Sequence, residues 1–278
     1  MAAQTIDEVL QALDAVVDRA RRDASRLGYF AAVYRKVTAK VKQGIDEGFF
    51  DDGERMRRLD VVFANRYLEA LAQFERGQRP TRSWELALAA AAGWRPIILQ
   101  HLLVGINAHI NLDLGIAAAQ TAPGQALAGL RRDFDRINEI LALLIAQIQR
   151  DIDEVSPWIA LLDRIGGRSD EELVKFSLEV ARTTAWWFAT ELAPLDPDQW
   201  AGATRARDTS TARMARVVLH PGLLSAGLLA IRSRETNQVP RVIDVLSRVR
   251  PPALETVEAR VRQARGPGTA GGPPVPPG

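Results

Sequence analysis

The chain contains no cysteine, which excludes disulfides, thiolate metal sites, iron–sulfur clusters and cysteine nucleophiles. Histidine is nearly as scarce, with three in 278 residues. No charge of one sign dominates: 36 Lys+Arg stand against 34 Asp+Glu. The charges are interspersed, as in Arg55-Met56-Arg57-Arg58-Leu59-Asp60. That is the pattern of a helix face in water, whereas a nucleic-acid groove needs a one-sign patch, so no nucleic-acid partner is expected. A long clean apolar run is missing too. Leu86 to Ala119 is interrupted by Arg95, Pro96, Gln100, His101, His109 and Asp113, and a spanning helix needs roughly 20 apolar residues. The stretch reads as a buried core helix, with no integral membrane segment. The N-terminus is acidic where a signal peptide is basic, and a cytoplasmic location is expected. There is no Gly-x-x-x-x-Gly-Lys-Ser/Thr, no Gly-x-Gly-x-x-Gly after a strand, no Gly-x-Ser-x-Gly, no His-Glu-x-x-His and no Glu-x-x-His.

What is present is helical periodicity. Ile6, Leu10, Leu13, Val16 and Val17 recur at steps of three and four behind a Thr5 cap. Further helices are expected over about 29–45, 51–76, 83–92, 96–119 and 125–155. A short one should start at Ser156-Pro157, and another follows Ser169-Asp170-Glu171-Glu172 and carries Ala185-Trp186-Trp187. After Pro194 and Pro197 the pieces shorten to about 198–219, 221–232 and 238–249. No segment shows two-residue alternation with hairpin turns. The reading is an all-α protein: a helical bundle over 1–195, a helical C-terminal appendage over 196–265 packed on it, and a Gly/Pro-rich tail over 266–278 expected to be disordered.

The informative segment runs from Ile97 to Gly115. It is apolar nearly all round, as in a central bundle helix, yet it holds two of the three histidines, two asparagines and an aspartate. At about 100° per residue, Gly105, His109 and Asp113 fall near 40°, 80° and 120° from His101, forming one stripe. Burying imidazole and carboxyl groups without partners costs several kcal/mol. Such a stripe therefore implies hydrogen bonds, a metal, or a cavity holding something. His109 and Asp113 at i,i+4 suit one cation, with oxygen ligands favouring Mg or Mn over Zn. His101, about 12 Å further along the axis, suits proton transfer instead. Gly105 leaves room for a ligand or a facing helix. Asp60, at the head of Val61-Val62-Phe63, is the least surface-like acid of its helix and the best partner from a neighbour. Asn107 and Asn111 read as structural, Asp133 and Asn138 as weaker candidates of the same kind as Asp60. Arg182 and Trp186 suggest a cation–aromatic cavity wall, and His220 before Pro221-Gly222 a loop or cap residue.

Several of these runs carry a resemblance. Tyr34 to Thr38, Gly48 to Asp52, Leu59 to Tyr67, His101 to Gly115, Asp133-Phe134 with Ile137-Asn138, and Ser156-Pro157 resemble an uncharacterised helical family. It is a numbered domain of unknown function (family 5995), common in actinobacteria. The resemblance covers about 20–195 and implies a helical domain of no assigned activity. Gly105, His109 and Asp113 also match the Gly-x-x-x-His-x-x-x-Asp of all-helical zinc phospholipase C-like domains. No Pro-x-His follows, and no second ligand helix exists.

The expectation is an enzyme with an apolar cavity. His101, His109 and Asp60 would be catalytic; His109, Asp113 and Asp60 would hold one divalent metal, if any. The chemistry would be metal-assisted or acid–base, of hydrolase or phosphoester type, on a small or lipid-like substrate. Isoprenoid-diphosphate chemistry is one alternative, suggested by Asp51-Asp52. A non-enzymatic binding or scaffold protein, with a structural polar core and apolar helices serving self-association into a homo-oligomer, is the other.

Overall fold

The first helix shows how local chemistry sets an element. Thr5 Oγ1 accepts the Glu8 amide at 3.2 Å, and Asp7 and Glu8 occupy the first turn while Arg19, Arg21 and Arg22 occupy the last. The buried residues Ile6, Val9, Leu13, Val16, Val17 and Ala20 make one stripe. The computed structural model describes residues 2–156 and 178–248. In order, the helices are α1 (Ile6–Arg22), α2 (Leu27–Asp46), α3 (Gly53–Glu75), α4 (Arg82–Ala90), α5 (Ile98–Ala108), α6 (Gly115–Thr121), α7 (Ala126–Val155), α8 (Leu178–Leu192), α9 (Trp200–Leu219), α10 (Ser225–Arg232) and α11 (Val239–Ser247). No strand occurs among the described residues, so the fold is all-α. The expected helix at 157–166, the start at 169–172, the helix end beyond 248 and the 266–278 tail lie outside them.

Residues 1–248 form a single unit. α1 lies along α2, and α3, α7 and α8 surround the central α5–α6 axis, with α9 against α4 and α5. Several junctions are pinned by buried polar residues distant in sequence. Asp133, fully buried, accepts the amides of Asp51 (2.7 Å) and Asp52 (3.0 Å) and pairs with Arg55, fixing the α2–α3 turn. Asp208 accepts the Arg82 and Ser83 amides, both at 2.9 Å, and so caps α4 from α9. Glu235 accepts the Ile98 amide and the Ser156 hydroxyl, supplying α5 with the N-terminal acceptor that Ile97 lacks. Lys36 and Asp151 form a buried ion pair at 2.6 Å between α2 and α7.

The central axis is not one regular α-helix. His109–Leu114 is π-helical, joining α5 to α6. A π turn adds a residue to the loop closed by each hydrogen bond, so residues beyond it fall out of the 100° register. The 18-residue apolar window within Ile98–Thr121 is 78% buried, as befits a core element.

Candidate functional site

A cavity of about 230 Å³ lies between α2, α3, the central axis, α7 and α8. Its wall is overwhelmingly aliphatic and aromatic: Tyr34, Leu59, Phe63, Ile106, Leu141 and Ile148 are typical. Only a few polar side chains interrupt it, among them Asp60 from α3, His109 from the π turn and Arg182 from α8. Sites of this composition hold small apolar molecules and use their few polar groups for orientation.

His109 is enclosed by rings. Phe63 stacks on the imidazole with centroids 3.6 Å apart and planes 6° from parallel, and Tyr34 meets it edge-on at 4.3 Å. Neither ring nitrogen has a hydrogen-bond partner among the described residues; Nδ1 stands 3.6 Å from Asp113 Oδ2, just beyond bonding distance. Burial lowers the imidazole's pKa, only partly opposed by the Asp113 carboxylate, and so keeps the ring neutral.

Asp113 stands behind it, fully committed. Oδ1 accepts Arg66 Nε–H at 2.8 Å and Oδ2 accepts Trp84 Nε1–H at 2.7 Å. Burial pushes its carboxyl up, but Arg66, His109 and the Trp84 indole outweigh that and hold it below the usual range. Asp60 is the opposite case. Its Oδ2 has no partner among the described residues, and burial alone lifts its pKa to about 7. Near neutral pH it is a half-protonated acid in an oily wall.

Asp60 and His109 therefore share one cavity, and Asp113 backs His109. His101 is elsewhere. It lines a separate small recess with Arg26, Tyr29, Arg232 and Glu235, meets Tyr29 edge-on at 5.7 Å, and is absent from the main cavity's wall. Burial first, then Arg26 and Arg232, push its pKa down to about 3. Between the two histidines the Phe30 ring occupies the space over Gly105; a Cβ there would come within 2.7 Å of it. The stripe expected from four-residue spacing is thus divided by an aromatic side chain from α2.

The described side chains do not form a metal-ligand cluster. Both Asp113 oxygens are engaged by donors, and no group of three or more His, Asp or Glu side chains among the described residues converges on one point. Asp51 pairs with Arg132 and Arg136, and Asp52 caps α3 through the Arg55 amide, so the Asp-Asp pair serves the α2–α3 turn and does not line the cavity. Asn107 donates to Thr211 O and Asn111 donates to Asn107. His220 is the C-cap of α9.

Arg182 lines the cavity, but its aromatic partner is Phe134 at 4.5 Å; Trp186 is covered by Arg131 at 4.9 Å instead. Tyr34 and Phe63, which enclose His109, are not singled out by sequence, because apolar periodicity marks any core aromatic alike. Only the tertiary placement of Phe63, one turn beyond Asp60 on α3, and of Tyr34 on α2, both against the central axis, distinguishes them.

Residues 6–221 match the model of a family described only as a family of unknown function (DUF5995), and the chain belongs to that family. No curated protein and no solved structure matches it.

Proposed function

For a member of a family without an assigned activity, we propose proton-transfer chemistry on a small, largely apolar molecule held in the cavity between α2, α3, α7 and α8. One observation carries this reading: two ionisable side chains, Asp60 and His109, sit without hydrogen-bond partners among the described residues in the wall of an otherwise apolar cavity. A fold does not leave a carboxyl and an imidazole unsatisfied in oil without cost, on the order of 1–3 kcal/mol per group. Occupation by a ligand with a polar function would recover it.

The roles follow from protonation. Asp60, with a pKa of about 7, carries a proton it can give to a ligand oxygen. His109 is neutral and can take one, while Asp113, fixed by Arg66 and Trp84, stands on its Nδ1 side and stabilises the imidazolium that results. One proton leaves Asp60 for a ligand carbonyl oxygen while His109 takes one from the adjacent C–H, whose electron pair becomes the enol double bond; reversal after exchange through water resets both residues and leaves deuterium on carbon.

The test works whatever product forms. Ligand extracted from purified full-length protein is identified by mass spectrometry and returned to the protein in deuterium oxide. Wild type should place deuterium in the ligand. Asp60→Asn and His109→Phe should bind it but exchange about 10²–10⁴-fold more slowly, the usual share of a general acid or base. If wild type and both variants exchange alike, the acid–base reading fails.

One observation favours a second reading, a pure binding protein. The imidazole is stacked on Phe63 and abutted by Tyr34, so His109 also serves as a ring in an aromatic cluster with Phe30, Tyr67 and Trp84. Binding without exchange would select it.

A further inference from the structure

Arg182 is a buried cation that forms no direct ion pair among the described residues; Asp135 acts on it only from longer range. The residue is 4% exposed, and it lines the cavity. Nε donates to Asn138 Oδ1 at 2.6 Å and Nη2 donates to the Phe134 carbonyl, both neutral acceptors. No carboxylate among the described residues lies within ion-pairing distance of it. Buried guanidinium groups are normally matched by an acid, because removing a charge from water costs several kcal/mol that neutral acceptors only partly return. The remaining nitrogen, Nη1, makes no hydrogen bond among the described residues.

The shape of the cavity says what the rest of the ligand is. Its wall takes residues of α7 from Ile137 to Ile152 and of the central axis from Leu99 to Leu114. Fifteen residue steps at 1.5 Å make the α7 wall roughly 22 Å long, and the central-axis wall, partly π-helical, is somewhat shorter. α7 runs back antiparallel to the central axis, so both walls describe the same elongated slot. Arg182 is anchored on Phe134 and Asn138, which flank Ile137, and therefore marks one end. From there the slot is lined by Leu141, Leu144, Ile148 and Ile152 toward Leu99 and Leu102, with Asp60 and His109 part-way along.

We infer that the slot takes a straight-chain fatty acid, its carboxylate on Arg182 at the Ile137 end and its hydrocarbon chain along α7 past Asp60 and His109. One negative charge is what the wall balances: Arg182 is its only Lys or Arg among the described residues, and a phosphate dianion would face a second uncompensated charge beside Asp60. Asp60 tolerates a carboxylate in the same slot because burial keeps it largely protonated below its pKa of about 7. The inference rests on the cavity being a ligand site, and it refines the substrate: a fatty acid whose reacting function lies along the chain, not at the carboxyl end.

The experiment is titration of the full-length protein at pH 6 with palmitic acid and with the alcohol of equal length, by displacement of a fluorescent fatty-acid probe. The acid should bind at least about tenfold more tightly than the alcohol, and Arg182→Gln should abolish that difference. The wild-type comparison stands even if the variant fails to fold. Equal binding of acid and alcohol overturns the role of Arg182 but leaves the cavity as an apolar site. No binding of either overturns the fatty-acid inference, while the acid–base reading stands or falls separately on the deuterium exchange of the extracted ligand.

Discussion

The Trp84 indole N–H donates to Asp113 Oδ2 at 2.7 Å, across 29 residues and from α4 to the π turn. The same carboxylate takes Arg66 from α3, so three helices converge on one buried charge behind His109. Asp113→Ala would leave a guanidinium and a buried indole N–H without their acceptor. Because removing one partner strands the other, the expected loss is about 3–5 kcal/mol. Urea unfolding followed by circular dichroism measures it, and a loss below about 1 kcal/mol, the size of an ordinary surface pair, would show the network to be dispensable.

Asp60 gives the protein a pH dependence of definite sign. Its carboxyl titrates at about 7 when folded and at 3.8 when exposed. Between those values the folded state binds the extra proton, so stability falls as pH rises through that window. Three units correspond to about 4 kcal/mol as an upper bound. Asp60→Asn should flatten the fall between pH 4 and 8 and be the more stable form at pH 8. Unfolding free energies at those two values decide; an unchanged slope places the titration elsewhere.

His101 acts in the opposite direction. Its imidazole titrates at about 3 when folded and at 6.5 when exposed. There the unfolded chain binds the extra proton, so stability is lost as pH falls from 6.5 toward 3. His101→Leu should remove part of this acid sensitivity without altering ligand exchange, because His101 lies outside the cavity. Thermal unfolding at pH 4 and 7, beside the deuterium assay, separates the two effects.

Gly105 makes room for Phe30. A Cβ would sit 2.7 Å from the ring and force it to shift. Gly105→Ala should cost about 1–3 kcal/mol by overpacking. It should also shift the His109 ring resonances in a nuclear magnetic resonance spectrum, since Phe30 touches both sites. An unshifted spectrum would mean the ring moves elsewhere.

Much of the fold was legible in sequence because helices are local. The Thr5 cap, the 3.6-residue stripe of α1 and the breaks at Gly77, Thr121 to Gly124 and Pro194 are decided by a few neighbouring residues. The polarity of the central helix was legible as well: a core element with two histidines and an aspartate announces buried polar chemistry. Asp60 could be picked out because an acid heading an apolar run is rarely solvated.

What sequence alone could not determine were the distances between segments. Four-residue spacing places His101 with His109, but the π turn and the Phe30 ring come from hydrogen bonds and contacts that no local rule encodes. Arg182 could be suspected of a cavity wall, yet that it stands at the end of a slot, held by α7 and lacking a carboxylate partner among the described residues, depends on how α7 and α8 meet. Composition and period specify which surfaces of each helix must be covered. Tertiary structure alone decides which side chain covers which, because burial is non-directional while the hydrogen bonds and charges that make a site are not.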